Sequence, residues 1–302
     1  MLDICLLGTG GMLPLPDRFL TAMLARYNGR KLLIDCGEGT QVTMKMLGWG
    51  YKTVDVICFT HYHGDHVTGL PGLLLTIGNT GRTEPITIIG PPGLKEIVNG
   101  LLVVAKDLSF DIILKELPDE AQMLEVGEFV ISIVPVDHRI PCFAYSVEIK
   151  RQPRFMIDKA KNNNIPQRHW KRLQYGETVV DGHMTYEPHM VQGEGRTGIK
   201  VGYCTDGRPN PGIVDLIHQA DLFICEGLYG EMESQVQAAK YKHMIYSEAA
   251  SLAKQGQVGE LWLTHFSPAN IYTKEGLENA TAIFPNTILG EDRMTKTLVF
   301  ED

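Results

Sequence analysis

A chain of 302 residues that is 44% hydrophobic and 21% charged can fill a large core, and no stretch of it approaches the ~18 uninterrupted apolar residues of a membrane span. Its net charge of −8 excludes uniform coating by nucleic acid, although not a local basic surface. Six scattered cysteines (Cys5, Cys36, Cys58, Cys142, Cys204 and Cys225) with no Cys-x-x-Cys pair exclude a cysteine zinc knuckle or a disulfide framework and read as reduced core residues.

Met1 leads straight into "LDICLLGTGG", without a basic region or a small-residue cleavage site, so no signal peptide is expected and the expected compartment is the cytoplasm. Residues 2–8, 21–27 and 31–35 read as strands. Gly8, Gly10 and Gly11 weakly resemble a dinucleotide loop, but "MLPLPDR" follows where a helix should start, so an open loop and no nucleotide cofactor are expected. A helix is expected from Glu38 to Leu47, then a strand over 54–60. "THYHGDH" comes directly after that strand.

His61 and His63 are one residue apart, so on an extended strand end both imidazoles point the same way, and Gly64 lets the chain turn Asp65 and His66 into the same space. Such a group can hold two cations. Further strands are expected at 86–90, 110–117, 128–136, 143–149, 200–205, 221–226 and 260–265, with helices at 93–105, 210–219, 247–255 and 274–284. Two mixed sheets with helices outside follow. His138, Asp206 and His265 each come just after one of these strands, which repeats the setting of His61 and His63 and adds the imidazole and carboxylate donors that a two-metal site needs.

Between residues 150 and 195 the apolar periodicity fades, and core strands bracket the stretch on either side, so it reads as an excursion from one domain. Residues 150–175 hold Lys150, Arg151, Arg154, Lys159, Lys161, Arg168, Lys171 and Arg172 against Asp158 alone, a net +7.

"THYHGDH" followed by His138, Asp206 and His265 in that order resembles the metallo-β-lactamase fold superfamily across the whole chain. Within it, "LLGTGGMLP", "LLIDCGEGTQ", "HVTGLPGLL", "YCTDGRP" and "THFSP" resemble ribonuclease Z, the endonuclease that trims the 3′ end of precursor tRNA. The resemblance implies an α/β, four-layer αβ/βα fold, a single domain over residues 1–302 with 150–195 as an inserted basic substrate-binding arm. It implies one Zn2+ held by His61, His63 and His138, a second held by Asp65, His66 and His265, and Asp206 bridging them, with Mn2+ or Fe2+ as alternatives. Paired metal ions ~3.5–4 Å apart lower the pKa of a bridging water to near 7 and stabilise the attacking and leaving oxygens at phosphorus. Asp65 is then placed to orient that water, and His243 matches the family's proton donor to the leaving group. Glu226, after the strand at 221–226, is placed to orient His243.

Arg18, Arg168, Lys171, Arg172 and Arg208 are the expected substrate contacts. Precursor tRNA or another RNA is the expected partner, and the family implies a homodimer in which each arm serves the partner's site. His169, His183, His189 and His218 fall outside the ligand pattern; the last three read as surface or structural residues, and His169, in the arm, is left open as an exception. The chain departs from the family at His243-Met244-Ile245, where serine and threonine follow the histidine, and at Gln167-Arg168, where the arm carries glycine and proline. Pro16 and Phe19 replace basic and amide residues of the early loop, and Ala269-Asn270 stand where an arginine is usual. These departures motivate one alternative, a hydrolase of small phosphodiesters such as cyclic nucleotides, and a non-catalytic RNA-binding relative with a degenerate site is the other.

Overall fold

The computed structural model describes residues 1–230, 234–268 and 274–301. These residues form two compact units, a larger one of Met1–Glu148 with Lys200–Val299 and a smaller one made mainly of Ile149–Ile199.

In the larger unit, strand β1 (Leu2–Gly8) places Cys5 and Leu7 on one face and Leu2, Ile4 and Leu6 on the other. All five are buried, so the sheet is covered on both sides. Its other strands are β2 (Ala22–Tyr27), β3 (Arg30–Ile34), β4 (Val54–Cys58), β5 (Ile86–Gly90) and β6 (Ile112–Glu116). β2 and β3 are joined through Asn28 and Gly29, at φ of 47° and 78°, the left-handed pair that a two-residue turn needs to match the strand twist. From β3 to β6 the pairing is parallel. Helices α1 (Thr40–Leu47), α2 (Gly64–Val67), α3 (Leu70–Gly78) and α4 (Leu94–Leu101) lie in the crossovers. Met44, Leu73, Leu74, Ile77 and Val98 from these helices share a core with Cys5, Leu7, Leu33 and Ile57 of the sheet.

A second sheet begins with the antiparallel strands β7 (Gln122–Val126), β8 (Phe129–Pro135) and β9 (Phe143–Arg151). The smaller unit comes next in the chain, with helices α5 (Ile157–Asn162) and α6 (Trp170–Gln174) and the hairpin β10 (Val179–Asp181) and β11 (Met184–Tyr186). Its own small core is Ala160, Ile165, Leu173, Val179, Tyr186 and Val191, with Phe155 and Trp170 packed against it. The second sheet resumes with β12 (Arg196–Cys204), then α7 (Pro211–Ile217), β13 (Leu222–Glu226), α8 (Gln235–Tyr241), α9 (Tyr246–Gly256), β14 (Leu261–Thr264), α10 (Lys274–Ile283) and β15 (Thr287–Leu289). The strand order is β15-β14-β13-β12-β9-β8-β7, and β12 to β15 run parallel. β16 (Thr295–Leu298) returns to the first sheet beside β1.

Ile213, Ile217, Leu252 and Ala253 cover the second sheet's outer face against Phe223, Cys225 and Leu263. The inner faces meet, with Tyr145 of β9 donating from its hydroxyl to the carbonyl of Phe59 just past β4 at 2.6 Å. The result is the expected four layers, helices, sheet, sheet, helices. All six cysteines are buried and unpaired. Among the described residues no helix is long and apolar enough to cross a membrane.

Candidate metal centre and active site

Every donor sits just beyond the C-terminal end of a strand. His61, His63, Asp65 and His66 follow β4, His138 follows β8, Asp206 follows β12, Glu226 ends β13 and His265 follows β14. Two of these turns force a non-glycine residue into the left-handed region, Asp206 (φ 45°) and His265 (57°), and so does the turn after β3 at Asp35 (59°). Such conformations cost energy and persist only where surrounding contacts fix them.

Two donor groups result. His61 Nε2 lies 2.9 Å from His63 Nδ1, and His138 Nε2 lies 3.3 Å from the same atom. The ring nitrogens of His61 and His138 that face away are committed, His61 Nδ1 to Thr60 Oγ1 at 3.0 Å and His138 Nδ1 to the carbonyl of Lys242 at 3.2 Å. Burial, foremost, drives the pKa of His61 well below its usual value and that of His138 to about 4, so these imidazoles are neutral. Neutral rings turned toward one another in this way offer one another lone pairs, and a cation satisfies them.

The second group is Asp65, His66 and His265. His265 Nε2 stands 3.2 Å from His66 Nε2 and 3.3 Å from Asp65 Oδ2. Asp65 Oδ2 also accepts from the Met12 amide at 2.7 Å. Behind His66, buried Asp35 accepts from Nδ1 at 2.8 Å and from the amide of Thr60 at 2.8 Å. Gly11 packs on the other side of His265, where an added Cβ would stand 2.6 Å from the imidazole.

Asp206 connects the groups. Its Oδ1 is 3.0 Å from His265 Nε2 and 3.3 Å from His66 Nε2, and its Oδ2 is 3.7 Å from His61 Nε2 and 3.8 Å from His138 Nε2. Burial would raise its pKa, but the imidazoles of His265, His66 and His61 hold it well below the carboxylate range. Oδ1 is nevertheless a buried atom without a hydrogen bond, since neither histidine contact has hydrogen-bond geometry. An ionised, unsatisfied carboxylate between two sets of imidazole donors fits a pair of divalent cations. The donor atoms of His61, His63, His138 and Asp206 lie within 4.8 Å of one another, as do those of Asp65, His66 and His265.

His243 stands beside this cluster, its Nδ1 3.0 Å from Glu226 Oε2 and 3.7 Å from Asp206 Oδ2. A cleft of about 450 Å³ opens over the cluster, lined by His63, Asp65, His138, Asp206, His243 and His265 together with Met12, Arg139, Leu228, Tyr229 and Tyr241.

Of the expected substrate contacts, Arg18 and Arg208 belong to the larger unit and Arg168, Lys171 and Arg172 to the smaller one. Arg18 is buried, with its guanidinium over the Phe266 ring, and is not part of the cleft lining. Arg208 grips Glu248 with two nitrogens and donates to the carbonyl of His243 at 2.5 Å. Arg168, Lys171 and Arg172 are exposed on the smaller unit, where Arg168 pairs with Asp181 and Arg172 with Glu177. Of the departures, Met244 and Ile245 are buried, whereas Ala269 and Asn270 lie outside the described residues. Asp35 and Arg139 had not been singled out in the sequence. Asp35 carries the same signal as the ligands, an acid directly after an apolar strand, and Arg139 directly follows His138.

Two sheets with a histidine and aspartate cluster at their strand ends define the class, an enzyme of the metallo-β-lactamase fold. The short form of human tRNase Z superposes with a TM-score of 0.70 at 24% identity, covering 99% of this chain and 100% of that one. The metallo-β-lactamase fold protein YhfI of Bacillus subtilis superposes with a TM-score of 0.69 at 20% identity, covering 98% of each. A family model described as anti-Pycsar protein Apyc1 matches residues 2–283. The ribonuclease Z of Clostridium kluyveri is 54% identical over 303 residues and that of Clostridium acetobutylicum 53% identical over 308, each comparison covering both chains in full. The chain belongs to the sequence family that the Apyc1 model describes and to the ribonuclease Z family.

Proposed function

We infer that this protein is a metal-dependent endoribonuclease that removes the 3′ trailer of precursor tRNA. The observation that carries the reading is Asp206 standing between two imidazole groups with the His243 and Glu226 pair beside it, in a chain 54% identical to a ribonuclease Z. The proposed cofactor is a pair of Zn2+ ions, one at His61, His63 and His138, the other at Asp65, His66 and His265, with Asp206 shared. When bound, such a pair neutralises charge at the scissile phosphate and makes water acidic enough to attack it near neutral pH.

The chain's own groups supply the rest. Asp65 turns Oδ2 toward the Met12 amide and toward the His66 and His265 nitrogens of its own donor set, so Oδ1 can accept a hydrogen from the attacking water and aim it. Glu226 holds His243 through Nδ1, which turns Nε2 outward to hand its proton to the leaving oxygen. The smaller unit is proposed as the arm that grips RNA phosphates, and a homodimer as the assembly in which it serves the partner's site. A cytoplasmic setting suits six unpaired thiols and a tRNA substrate.

A second reading, hydrolysis of small phosphodiesters such as cyclic nucleotides, is favoured by the pairing of Arg168 with Asp181 and of Arg172 with Glu177, which uses up cations that RNA would need. A non-catalytic relative is disfavoured because no donor is missing. One preparation should be assayed on precursor tRNA and on bis(p-nitrophenyl) phosphate, with its metal content measured. Close to two transition-metal ions per chain are expected, Asp206→Ala losing at least one of them, together with cleavage of the tRNA. Full activity in metal-free protein would sink the mechanism, and cleavage of the small diester alone would sink the substrate.

A further inference from the structure

Arg139 follows directly on His138 and lines the same cleft as the metal donors. Its side chain is exposed and its guanidinium lies over the Tyr241 ring, 4.9 Å from the centroid. Among the described residues it makes no hydrogen bond and no ion pair. Arg208 is spent, for it is held by Glu248 and by the carbonyl of His243.

The choice of partner decides what an arginine can do next. A carboxylate neutralises the guanidinium and occupies its N–H donors. An aromatic face holds the group through its quadrupole, leaving the charge intact and all five donors turned outward. Lys240 adds a second cation 5.4 Å from the centroid of the same ring. An uncommitted planar fork is thus kept at the rim of a cleft in a chain whose net charge is −8, and such a fork matches a pair of phosphate oxygens. The metal donors are mostly buried, whereas Arg139 is exposed, so its phosphate is not the one under attack.

We propose that Arg139, steadied by the ring of Tyr241, binds the backbone phosphate next to the scissile one. The assignment rests on the endoribonuclease reading of the cleft and adds to it a subsite for a flanking nucleotide.

The test uses metal-loaded protein and ribodinucleotides with or without an extra phosphate at the 5′ or the 3′ end, compared as inhibitors of bis(p-nitrophenyl) phosphate hydrolysis. Because the readout is inhibition, it does not require the RNA to be cut, and cleavage of precursor tRNA is scored separately, so failure of that reading is visible on its own. In the wild type an extra phosphate at one end should tighten inhibition by roughly ten- to a hundred-fold, the range for a hydrogen bond between charged partners. Arg139→Ala should erase that preference with metal content unchanged. Tyr241→Phe should keep it, and Tyr241→Leu should lose most of it, because the ring and not the hydroxyl holds the guanidinium. The assignment is overturned if the wild type shows no preference, or if Arg139→Ala retains it. Equal weakening of inhibition by both kinds of dinucleotide would place Arg139 on the scissile phosphate and overturn it too. If Tyr241→Phe behaves like Tyr241→Leu, the supporting role of the ring is wrong.

Discussion

Glu226 does two things at once. Fully buried, it accepts from the amide of Gly207, next to Asp206, at 2.7 Å, and it holds His243 Nδ1 at 3.0 Å, so the carboxylate fixes the loop of the shared donor and the ring beside it together. Burial alone would push the pKa of His243 down; the negative charge of Glu226, then that of Asp206, raises it to about 9. The value of a proton held on Nε2 depends on how badly the leaving oxygen needs it. A ribose oxygen leaves poorly without one, whereas p-nitrophenolate leaves readily. His243→Ala should therefore lower RNA turnover by ~10²–10⁴, the usual range for a lost general acid, and slow bis(p-nitrophenyl) phosphate far less. Metal content by elemental analysis should not change. Equal losses on both substrates, or loss of metal, would make His243 part of the metal cluster instead.

At the scale of elements, the start of α9 is tied to the segments that carry Arg208 and His243. Glu248, in its first turn, accepts from the amide of Ile245 at 3.1 Å and from both terminal nitrogens of Arg208, and Arg208 in turn donates to the carbonyl of His243. One cap thus anchors the helix and the segment that carries His243. Glu248→Ala should cost about 2 kcal/mol for a largely buried charge left without its partner. In a chain of 302 residues that lowers the melting temperature by roughly 3 °C. Turnover of RNA should fall with metal retained, and a melting curve unmoved from the wild type would deny the cap. The element boundaries that were legible follow from burial. β1 and β5 lie where their mostly apolar runs begin and end, at 2–8 and 86–90. α3 was not legible, because Pro71, Gly72 and an almost continuous apolar run carry no helical period, although Pro71 sits in the first turn where a missing N–H costs nothing. β7 was missed because it is an edge strand, with a half-polar pattern and Met123 exposed. The clustered histidines and aspartates were readable because each follows a strand, while the pairing of Arg208 with Glu248 was not, since the two are 40 residues apart and no local pattern announces it.

For the whole molecule, the distribution of charge decides which substrate the enzyme can grip. Residues 150–175 carry a net +7 in a chain of net −8, yet Arg168 and Arg172 are already paired within the smaller unit. Arg154, Lys161 and Lys171 are exposed, and among the described residues their side chains have no hydrogen bond or ion pair, which makes them the cations available to phosphate. The ends of the segment lie close together, for the Gly193 amide donates to the carbonyl of Arg154 at 2.7 Å, so a short glycine-serine turn can join the cut ends. Replacing Arg154 to Gly193 in this way should weaken precursor tRNA cleavage by about ten-fold or more and flatten its dependence on salt, since each phosphate contact contributes to that slope. Hydrolysis of bis(p-nitrophenyl) phosphate should change by less than about threefold, because a minimal diester draws only on the metal centre. Neutralising Arg154, Lys161 and Lys171 together should reproduce the loss in part, and neutralising Arg168 and Arg172 should do less, since those two must first give up Asp181 and Glu177. A deletion that lowered both activities alike would make the segment a support of the fold or of the dimer contact. An intact protein that ignored precursor tRNA while cleaving small diesters would show instead that the departures at Pro16, Phe19 and Gln167 had redirected the same metal centre to a smaller substrate.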